Sequence, residues 1–239
     1  MKLSVIMVTL NAAKHLQRAL DSLAVQTHRE LEVIVVDGGS TDDTLAMVQA
    51  PTRLSLRLLT GPDKGIFDAM NKGLAAASGQ AVYFLNADDA LAQPGSLAAL
   101  AQSMRRSSAD IVFGDALILR PEGDQYRSHR HVTPRSLGFE ALSHQAALCS
   151  RQAFDQVGLF DTRFQVCADL DWFLRCSSAG VRFEHLPRLV CHCLAGGFSE
   201  RRMPLHLQEL RQLQIAHRGV WARTVQRGLA GLRRRGPRW

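Results

Sequence analysis

Apolar runs and amphipathic helical segments alternate along the first 115 residues, and this alternation limits the fold more than any other feature of the sequence. Five runs rich in Val, Ile and Leu are predicted as strands: residues 3–9, 31–37, 54–59, 81–85 and 110–115. Between them, segments such as residues 11–26 repeat leucines at helical spacing. Strands that alternate with helices form a mostly parallel sheet with helices on both faces. The sequence therefore predicts an α/β fold with a Rossmann-like central sheet.

Capping and turn residues set the expected helix boundaries. Asn11 is predicted to cap the first helix, Ser40 or Thr41 to cap the second, and Gly79 to end the third. Beyond residue 115 the pattern is looser. There we expect a loop followed by two helices, at residues 121–136, 167–180 and 204–232.

Positive charge is concentrated at the end of the chain. The net charge is +7, yet residues 200–239 contain ten arginines and two glutamates and sum to +8, so residues 1–199 sum to −1. Because the basic residues lie outside the predicted α/β domain, they argue against a nucleic-acid-binding fold, and no nucleic-acid partner is expected. We predict a domain of residues 1–199 followed by a basic, amphipathic, helical extension of residues 200–239.

The cysteines and the N-terminal segment bear on the compartment. Five cysteines, an odd number without a CxxC pair, favour free buried thiols over disulfides or a zinc site. No apolar run reaches the length of about 18 residues that would predict a membrane span. No small-residue cleavage site follows the first apolar run. We therefore expect a cytoplasmic protein.

Polar side chains follow three of the predicted strands, at the point where each strand ends. They are Thr9, Asp37 and the group Asn86–Asp89. Because ligands bind beyond the carboxyl ends of parallel strands, these side chains can converge on one crevice. Carboxylates there suit Mg²⁺ or Mn²⁺, which prefer oxygen ligands. An acidic turn or a helix cap is the competing interpretation of the two adjacent aspartates.

Longer stretches of the sequence resemble a known family. The segment LSVIMVTLNAAKHLQRALDSLAVQTHRELEVIVVDGGSTDDT resembles the opening of the family 2 glycosyltransferases, which have the GT-A fold. The segment GPDKGIFDAMNKGLAAASGQAVYFLNADD resembles those members that build bacterial exopolysaccharide, colanic-acid or O-antigen units. The likeness continues through HQAALCSRQAFDQVGLFDTRFQVCADLDWFLR and reaches GGFS near residue 199, which is about five-sixths of the chain.

The resemblance implies a site for a nucleotide-diphosphate sugar, the donor. Thr9 and Asp37 would line the nucleoside pocket, while Asp63, Lys64 and Asp68 would lie beside the donor, with Lys64 meeting a phosphate or the ribose. Many relatives carry a second acid directly after the aspartate of the nucleoside pocket, where this chain has a glycine. The alternatives are that Asp37 only closes its strand and that Lys64 belongs to a solvated helix start.

The sequence Asn86–Ala87–Asp88–Asp89 occupies the place of the family's Asp-x-Asp motif, and its first three residues are assigned to the donor site. The first acid of the motif is replaced by Asn86, which keeps an oxygen but carries no charge. Asp88 is therefore predicted to bind the metal, and Asp89 to support the site without binding it. A Mg²⁺ or Mn²⁺ ion would neutralise the diphosphate leaving group as a Lewis acid.

The resemblance also implies a catalytic base. Asp169 lies six residues before Arg175 and matches the family's base, which takes the proton of the acceptor hydroxyl in a one-step, inverting displacement. On a helix Asp171 points in a different direction, so a structural role is favoured for it. His144 matches a His-Gln step near the donor or acceptor, with a structural role as the alternative. For Trp172, a place in the core is favoured over stacking on a sugar.

These features predict a metal-dependent, inverting glycosyltransferase that adds a sugar to a lipid-linked glycan during bacterial surface polysaccharide biosynthesis. The alternatives are a sugar-nucleotide-binding or scaffolding relative without chemistry, and a nucleotidyltransferase. The arginine-rich tail is predicted to adsorb to the anionic inner face of the membrane and so make the protein peripheral. The competing interpretation of the tail is a solvated helix that packs on the domain.

Overall fold

The fold is an α/β sheet covered by helices on both faces. The computed structural model of the chain describes residues 1–134, 136–137 and 142–217. The strands are β1 Leu3–Thr9, β2 Leu31–Asp37, β3 Leu56–Thr60, β4 Ala81–Asn86, β5 Ala90–Leu91, β6 Ile111–Leu119, β7 Gln125–Arg127, β8 Ala147–Ser150 and β9 Phe183–Leu194. The helices are α1 Ala13–Ala24, α2 Thr44–Gln49, α3 Ile66–Ala76, α4 Ser96–Ser107, α5 Arg151–Val157, α6 Ala168–Ser178, α7 Phe198–Arg201 and α8 Met203–Ala216.

The first four strands are parallel and form one half of the sheet. The strand order is β3-β2-β1-β4-β8-β6-β9-β5, and β7 pairs with β6. The register places Thr9 opposite Asp37, and Val8 opposite Asn86. The carboxyl ends of β1, β2 and β4 therefore meet at one edge of the sheet, as the sequence predicts. The predicted α/β class with a mostly parallel central sheet is confirmed, and antiparallel β8 links the two halves.

Alternate side chains of the strands build two apolar layers. On one face Ile6 and Phe84 pack against α3, α5 and α6, and on the other face Val5 and Tyr83 pack against α1 and α4. Trp172 of α6 is 1% exposed and stacks on the ring of Phe154, with the ring centroids 4.2 Å apart. Trp172 is thus a core residue, which is the role that the sequence favours.

Several predicted boundaries are wrong because side chains bond to distant segments. Asn11 does not cap α1; it adopts a positive φ of 50°, and its Oδ1 accepts the backbone N–H of Thr41 at 2.9 Å. Neither Ser40 nor Thr41 caps α2, which begins only at Thr44. Helix α3 ends at Ala76, three residues before Gly79.

Gly79 instead lies against β1. Its N–H donates to Ser4 Oγ at 2.8 Å, and a Cβ at this position would lie only 2.5 Å from that oxygen. The predicted loop at residues 121–136 also contains a strand, β7, which pairs with β6.

The C-terminal part of the described chain packs on the sheet domain. The predicted helix 204–232 corresponds to α8, which spans Met203–Ala216, and residues 218–239 lie outside the described residues. Leu213 is fully buried in the same core as Trp172. The predicted division after residue 199 stays a prediction. Within the described ranges, no helix combines the length and the hydropathy needed to cross a membrane.

Candidate active site

A cavity of about 510 Å³ opens beyond the carboxyl end of β1. Its walls are the end of β1, the start of α3, the loop between α5 and α6, and α7 with the residue after it. Four of the predicted donor-site residues line it: Thr9, Asp63, Lys64 and Asp68. The end of β1 therefore lines a cleft large enough for a small ligand, whereas Asp37 and Asn86–Asp89, at the other two strand ends, are not among the described residues that line it.

Asp37 lies behind this cleft and organises the loop that follows β2. It is fully buried; Oδ2 accepts the hydroxyl of Thr9 at 2.9 Å, and Oδ1 accepts the backbone N–H groups of Gly39 and Ser40 at 3.0 and 2.8 Å. Burial raises the pKa of Asp37, but hydrogen bonds, above all from Ser40, outweigh it and hold the pKa below its usual value. Its predicted contact with the nucleoside stays a prediction.

Asp63 lies directly over Gly38. Its Oδ1 accepts the N–H of Gly65 at 2.8 Å. A Cβ on Gly38 would lie 2.4 Å from Asp63 Oδ2. The carboxylate of Asp63 thus fills the space into which a side chain at position 38 would project, and glycine at that position is required for its placement.

Lys64 and Asp68 lie at the start of α3, beside the cleft. The N–H of Lys64 donates to Asp68 Oδ2 at 3.0 Å, and Lys72 Nζ forms an ion pair with the same oxygen at 2.9 Å. The hydrogen bond from Lys72 is the largest cause of the lowered pKa of Asp68. The Nδ2 of Asn71 donates to the carbonyl of Phe160 at 2.9 Å, and its Oδ1 accepts the N–H of the same residue at 3.1 Å, so Asn71 has a structural role.

The two aspartates after β4 differ in their surroundings. Asp88 is half-buried, and its backbone carbonyl accepts a hydrogen bond from Arg18. Asp89 is 2% exposed, and its carboxylate accepts Gln145 Nε2 at 2.9 Å and the N–H of Leu194 at 3.0 Å. Burial, followed by the charge of Asp88, raises the pKa of Asp89 to about 6. Asp89 therefore supports the site by anchoring two other segments.

The side chains of Asn86 and Asp88 offer oxygen atoms that suit a hard divalent cation. Within the described ranges, no three His, Cys, Asp or Glu side chains form a metal-binding group. The side-chain oxygen of Asn86 is buried and has no hydrogen-bond partner among those residues. Mg²⁺ commonly uses one or two carboxylates and completes its shell with water and substrate phosphates. Asp88 together with the free oxygen of Asn86 matches that donor set.

Asp169 is joined to the acidic motif by a short turn. Residues His144–Ala146 form a 3-10 turn. His144 Nδ1 donates to Asp169 Oδ2 at 2.8 Å, and the next residue, Gln145, donates to Asp89. The second oxygen of Asp169 accepts the N–H of Leu170 at 2.8 Å. One turn of the chain thus brings together the predicted base and the predicted metal motif, which lie 80 residues apart.

Asp171 faces away from this cluster. Its carboxylate pairs with Arg175 Nε at 2.7 Å and accepts His217 Nε2 at 3.2 Å. Asp169 and Asp171 therefore do different things, as their spacing on α6 predicts.

The two arginines in the wall of the cleft that includes α7 were not predicted from the sequence. That wall includes Phe198, Arg201 and Arg202. The guanidinium of Arg202 lies 4.6 Å from the ring centroid of Phe198, and it donates to Gln165 Oε1 at 3.1 Å. An arginine pair one residue after the glycine-rich GGFS segment was the available signal. Gln145 was also missed, although it follows His144 directly.

Comparisons with known proteins agree with this architecture. The family model described as glycosyl transferase family 2 matches residues 4–187. A PGL/p-HBAD biosynthesis glycosyltransferase of Mycobacterium bovis is 37% identical and aligns with 95% of this chain and 93% of its own length. A protein of the same description and identity occurs in Mycobacterium tuberculosis.

Two solved structures are similar in fold. A crystal structure of S. aureus TarS 1-349 in complex with UDP-GlcNAc has a TM-score of 0.76 at 20% identity, and the match covers 96% of this chain and 73% of that one. The mannosyltransferase PcManGT from Pyrobaculum calidifontis, in complex with GDP-Man and Mn²⁺, has a TM-score of 0.69 at 21% identity and covers 99% and 76%. At these identities the likeness bears on the fold.

Proposed function

The chain belongs to glycosyl transferase family 2, and from that premise we propose that this glycosyltransferase moves a sugar, with inversion, from a nucleotide-diphosphate sugar to a lipid-linked glycan. The biosynthesis of a bacterial surface polysaccharide or glycolipid is the proposed setting. One observation carries the proposal: the turn at His144–Gln145 bonds to Asp169 on one side and to Asp89 on the other, in a domain where the end of β1 opens onto a cleft.

The donor is proposed to bind in the cleft of about 510 Å³. Thr9 and Asp37 would meet the nucleoside, and Asp63 and Asp68 would line the approach. Lys64 is exposed at the cleft and would attract a phosphate, as would the N–H groups at the start of α3. The fold neighbours described with UDP-GlcNAc and GDP-Man support a donor of this chemical class.

Asp88, Asn86 and the backbone around Ala87 are proposed to hold Mg²⁺ or Mn²⁺ together with the diphosphate. When bound, the cation supplies Lewis-acid stabilisation of the leaving diphosphate. The unpartnered oxygen of Asn86 supports this assignment, because a buried polar atom without a partner is costly unless a ligand satisfies it.

Asp169 is proposed to take the proton from the acceptor hydroxyl as that oxygen attacks the anomeric carbon. The hydrogen bond from His144 Nδ1 fixes the orientation of the carboxylate. Because the attack occurs opposite the leaving diphosphate, a single displacement inverts the anomeric centre.

The test begins with a panel of UDP-, GDP- and dTDP-sugars, scored for Mn²⁺-dependent hydrolysis of the donor. We expect Asp88→Ala to abolish hydrolysis, while Asp124→Ala, a control at an exposed aspartate, leaves it unchanged. Asp169→Asn should abolish turnover and retain donor binding measured by calorimetry. Loss of donor binding in Asp169→Asn would refute its role as a base.

The competing function is a sugar-nucleotide-binding scaffold without chemistry. The neutral Asn86 and the glycine after Asp37 favour it. However, the carboxylate of Asp63 lies over Gly38, so an acid is still present there. Donor binding without hydrolysis in the wild-type protein would establish the scaffold.

The face of α8 that points away from the core is proposed to rest on an anionic membrane at the cytoplasmic side. Met203, Leu207 and Ile215 on this face are 45%, 52% and 60% exposed, and Arg211 lies among them. Seven further arginines and no acids follow in residues 218–239. Apolar side chains flanked by arginines suit adsorption to anionic lipid, where each basic residue contributes about 1 kcal/mol.

Sedimentation of the full chain with phosphatidylglycerol and phosphatidylcholine vesicles tests this surface. We expect binding to the anionic vesicles only, and weaker binding for Leu207→Ser/Ile215→Ser. The control Val25→Ser/Leu159→Ser alters two equally exposed apolar residues elsewhere and should bind as the wild type does. Equal binding by both double variants would refute the assignment to α8.

A further inference from the structure

Glu209 is a buried carboxylate that the mechanism above does not use. It lies in the middle of α8 and is 3% exposed. Its two oxygens accept three consecutive backbone N–H groups: Gln165 at 2.7 Å, Val166 at 2.9 Å and Cys167 at 2.9 Å. A buried charge is costly unless it is well hydrogen-bonded, and these three donors provide that compensation.

The three N–H groups belong to residues 165–167, the segment that leads into α6, which begins at Ala168. The helix dipole favours a negative charge near this end of α6. Cys167 directly precedes α6, and its side chain makes no capping bond. Glu209 therefore holds the segment before α6 from a different helix, 42 to 44 residues further along the chain.

The segment held by Glu209 ends at Cys167, two residues before the proposed base. Asp169 is the second residue of α6, so its carboxylate moves with the first helical turn. Other contacts attach α8 to the same helix: His217 donates to Asp171 at 3.2 Å, and Leu213 is fully buried in the core that contains Trp172. Gln165, which Glu209 also holds, lines the donor cleft.

We propose that Glu209 is a positioning residue for the transfer reaction: by fixing residues 165–167, it holds Asp169 where it can take the acceptor's proton. The inference rests on the proposed role of Asp169. An apolar side chain at this position would leave those three N–H groups without their acceptor, which destabilises a buried segment. What the carboxylate adds is a fixed register of the first turn of α6, and a displacement of about 1 Å in a catalytic group can lower a rate by about 100-fold.

The experiment compares two nucleophiles that attack the same donor. Water must lose a proton as it attacks the anomeric carbon, and so it needs the base. Azide attacks the same carbon, expels the nucleoside diphosphate and loses no proton, so it does not need the base. The ratio of azide transfer to hydrolysis, measured with the best donor of the nucleotide-sugar panel, isolates the contribution of the base from damage to the fold or donor site.

For Glu209→Gln, which keeps the size and removes the charge, we expect hydrolysis to fall about tenfold or more while azide transfer stays within about twofold. Glu209→Asp keeps the charge on a shorter side chain, so its ratio should lie between those of the wild type and Glu209→Gln. It also carries the test if Glu209→Gln does not fold. Glu184→Gln makes the same chemical change at an exposed glutamate and should leave both rates unchanged.

Asp169→Asn separates the two ways in which the idea can fail. If Asp169→Asn loses hydrolysis and keeps azide transfer, the base is correctly assigned; if it loses both or neither, the proposed function is wrong at this residue. With the base assigned, an unchanged ratio in the folded Glu209 variants, or an equal fall of both rates, overturns the positioning role.

Discussion

The substitution Asp89→Asn should change how the stability of the protein depends on pH. Burial and the neighbouring Asp88 raise the pKa of Asp89 from 3.8 to about 6. Each pKa unit corresponds to about 1.4 kcal/mol, so the ionised carboxylate costs the folded state about 3 kcal/mol at neutral pH. Asparagine has the same shape and carries no charge, so the variant avoids this cost.

The direction in which the stability changes with pH follows from proton linkage. The folded state binds the proton of Asp89 more tightly than the unfolded state does, so this residue lowers the free energy of unfolding as the pH rises from about 4 to about 6. The difference in that free energy, Asp89→Asn minus wild type, should therefore become more positive by about 2.4 kcal/mol between pH 4 and pH 7.

Urea denaturation at a series of pH values measures this difference, with a chelator present because a divalent cation would favour the ionised form. The control is Asp88→Asn, which removes the second cause of the shift and leaves the burial. It should weaken the wild-type dependence, because it removes the second cause of the raised pKa of Asp89. A difference between Asp89→Asn and wild type that stays flat from pH 4 to pH 7 would refute the assignment of a raised pKa to this carboxyl group.

Two further predictions concern the donor cleft and the thiols. Gly38→Ala would bring a Cβ to 2.4 Å from Asp63 Oδ2 and should weaken donor binding, measured by calorimetry, about tenfold. In a double-mutant cycle with Asp63→Ala, the coupling free energy should be about 1 kcal/mol, and additive effects would contradict the contact. All five cysteines are free and buried, and burial raises the pKa of Cys167 to about 12. Ellman's reagent should therefore react with no thiol of the native protein at pH 8 and with five after unfolding, and a rapid reaction in the native state would contradict the burial.

Helix ends were harder to predict than strands. The strands of the first half were predictable because Val and Ile runs buried on both faces leave little choice of structure. Asn11 and Ser40 are residue types that are common at helix N-caps, yet each bonds to the other's loop, about 30 residues away. A capping preference describes local alternatives only, and here a bond between two loops was available.

The candidate site was predictable where a residue's position depends on the end of a strand. Thr9, Asp37 and Asn86 follow parallel strands, so topology alone brings them to one edge. The wall that includes Arg201 and Arg202 was not predictable in this way. It is formed by α7 and Arg202, which follow β9 in the chain, so no strand end of the first half determines its position.

The sequence by itself determined the alternating α/β pattern, the parallel direction of the first strands and the polar character of their ends, because side-chain period and strand composition act over a few residues. Only the tertiary structure decided that His144 and Gln145 join Asp169 to Asp89, and that Glu209 holds the segment before α6. Those bonds connect residues 25 to 56 positions apart. Their partners are chosen when the chain closes and buried polar groups must be satisfied, a requirement that leaves no period in the sequence.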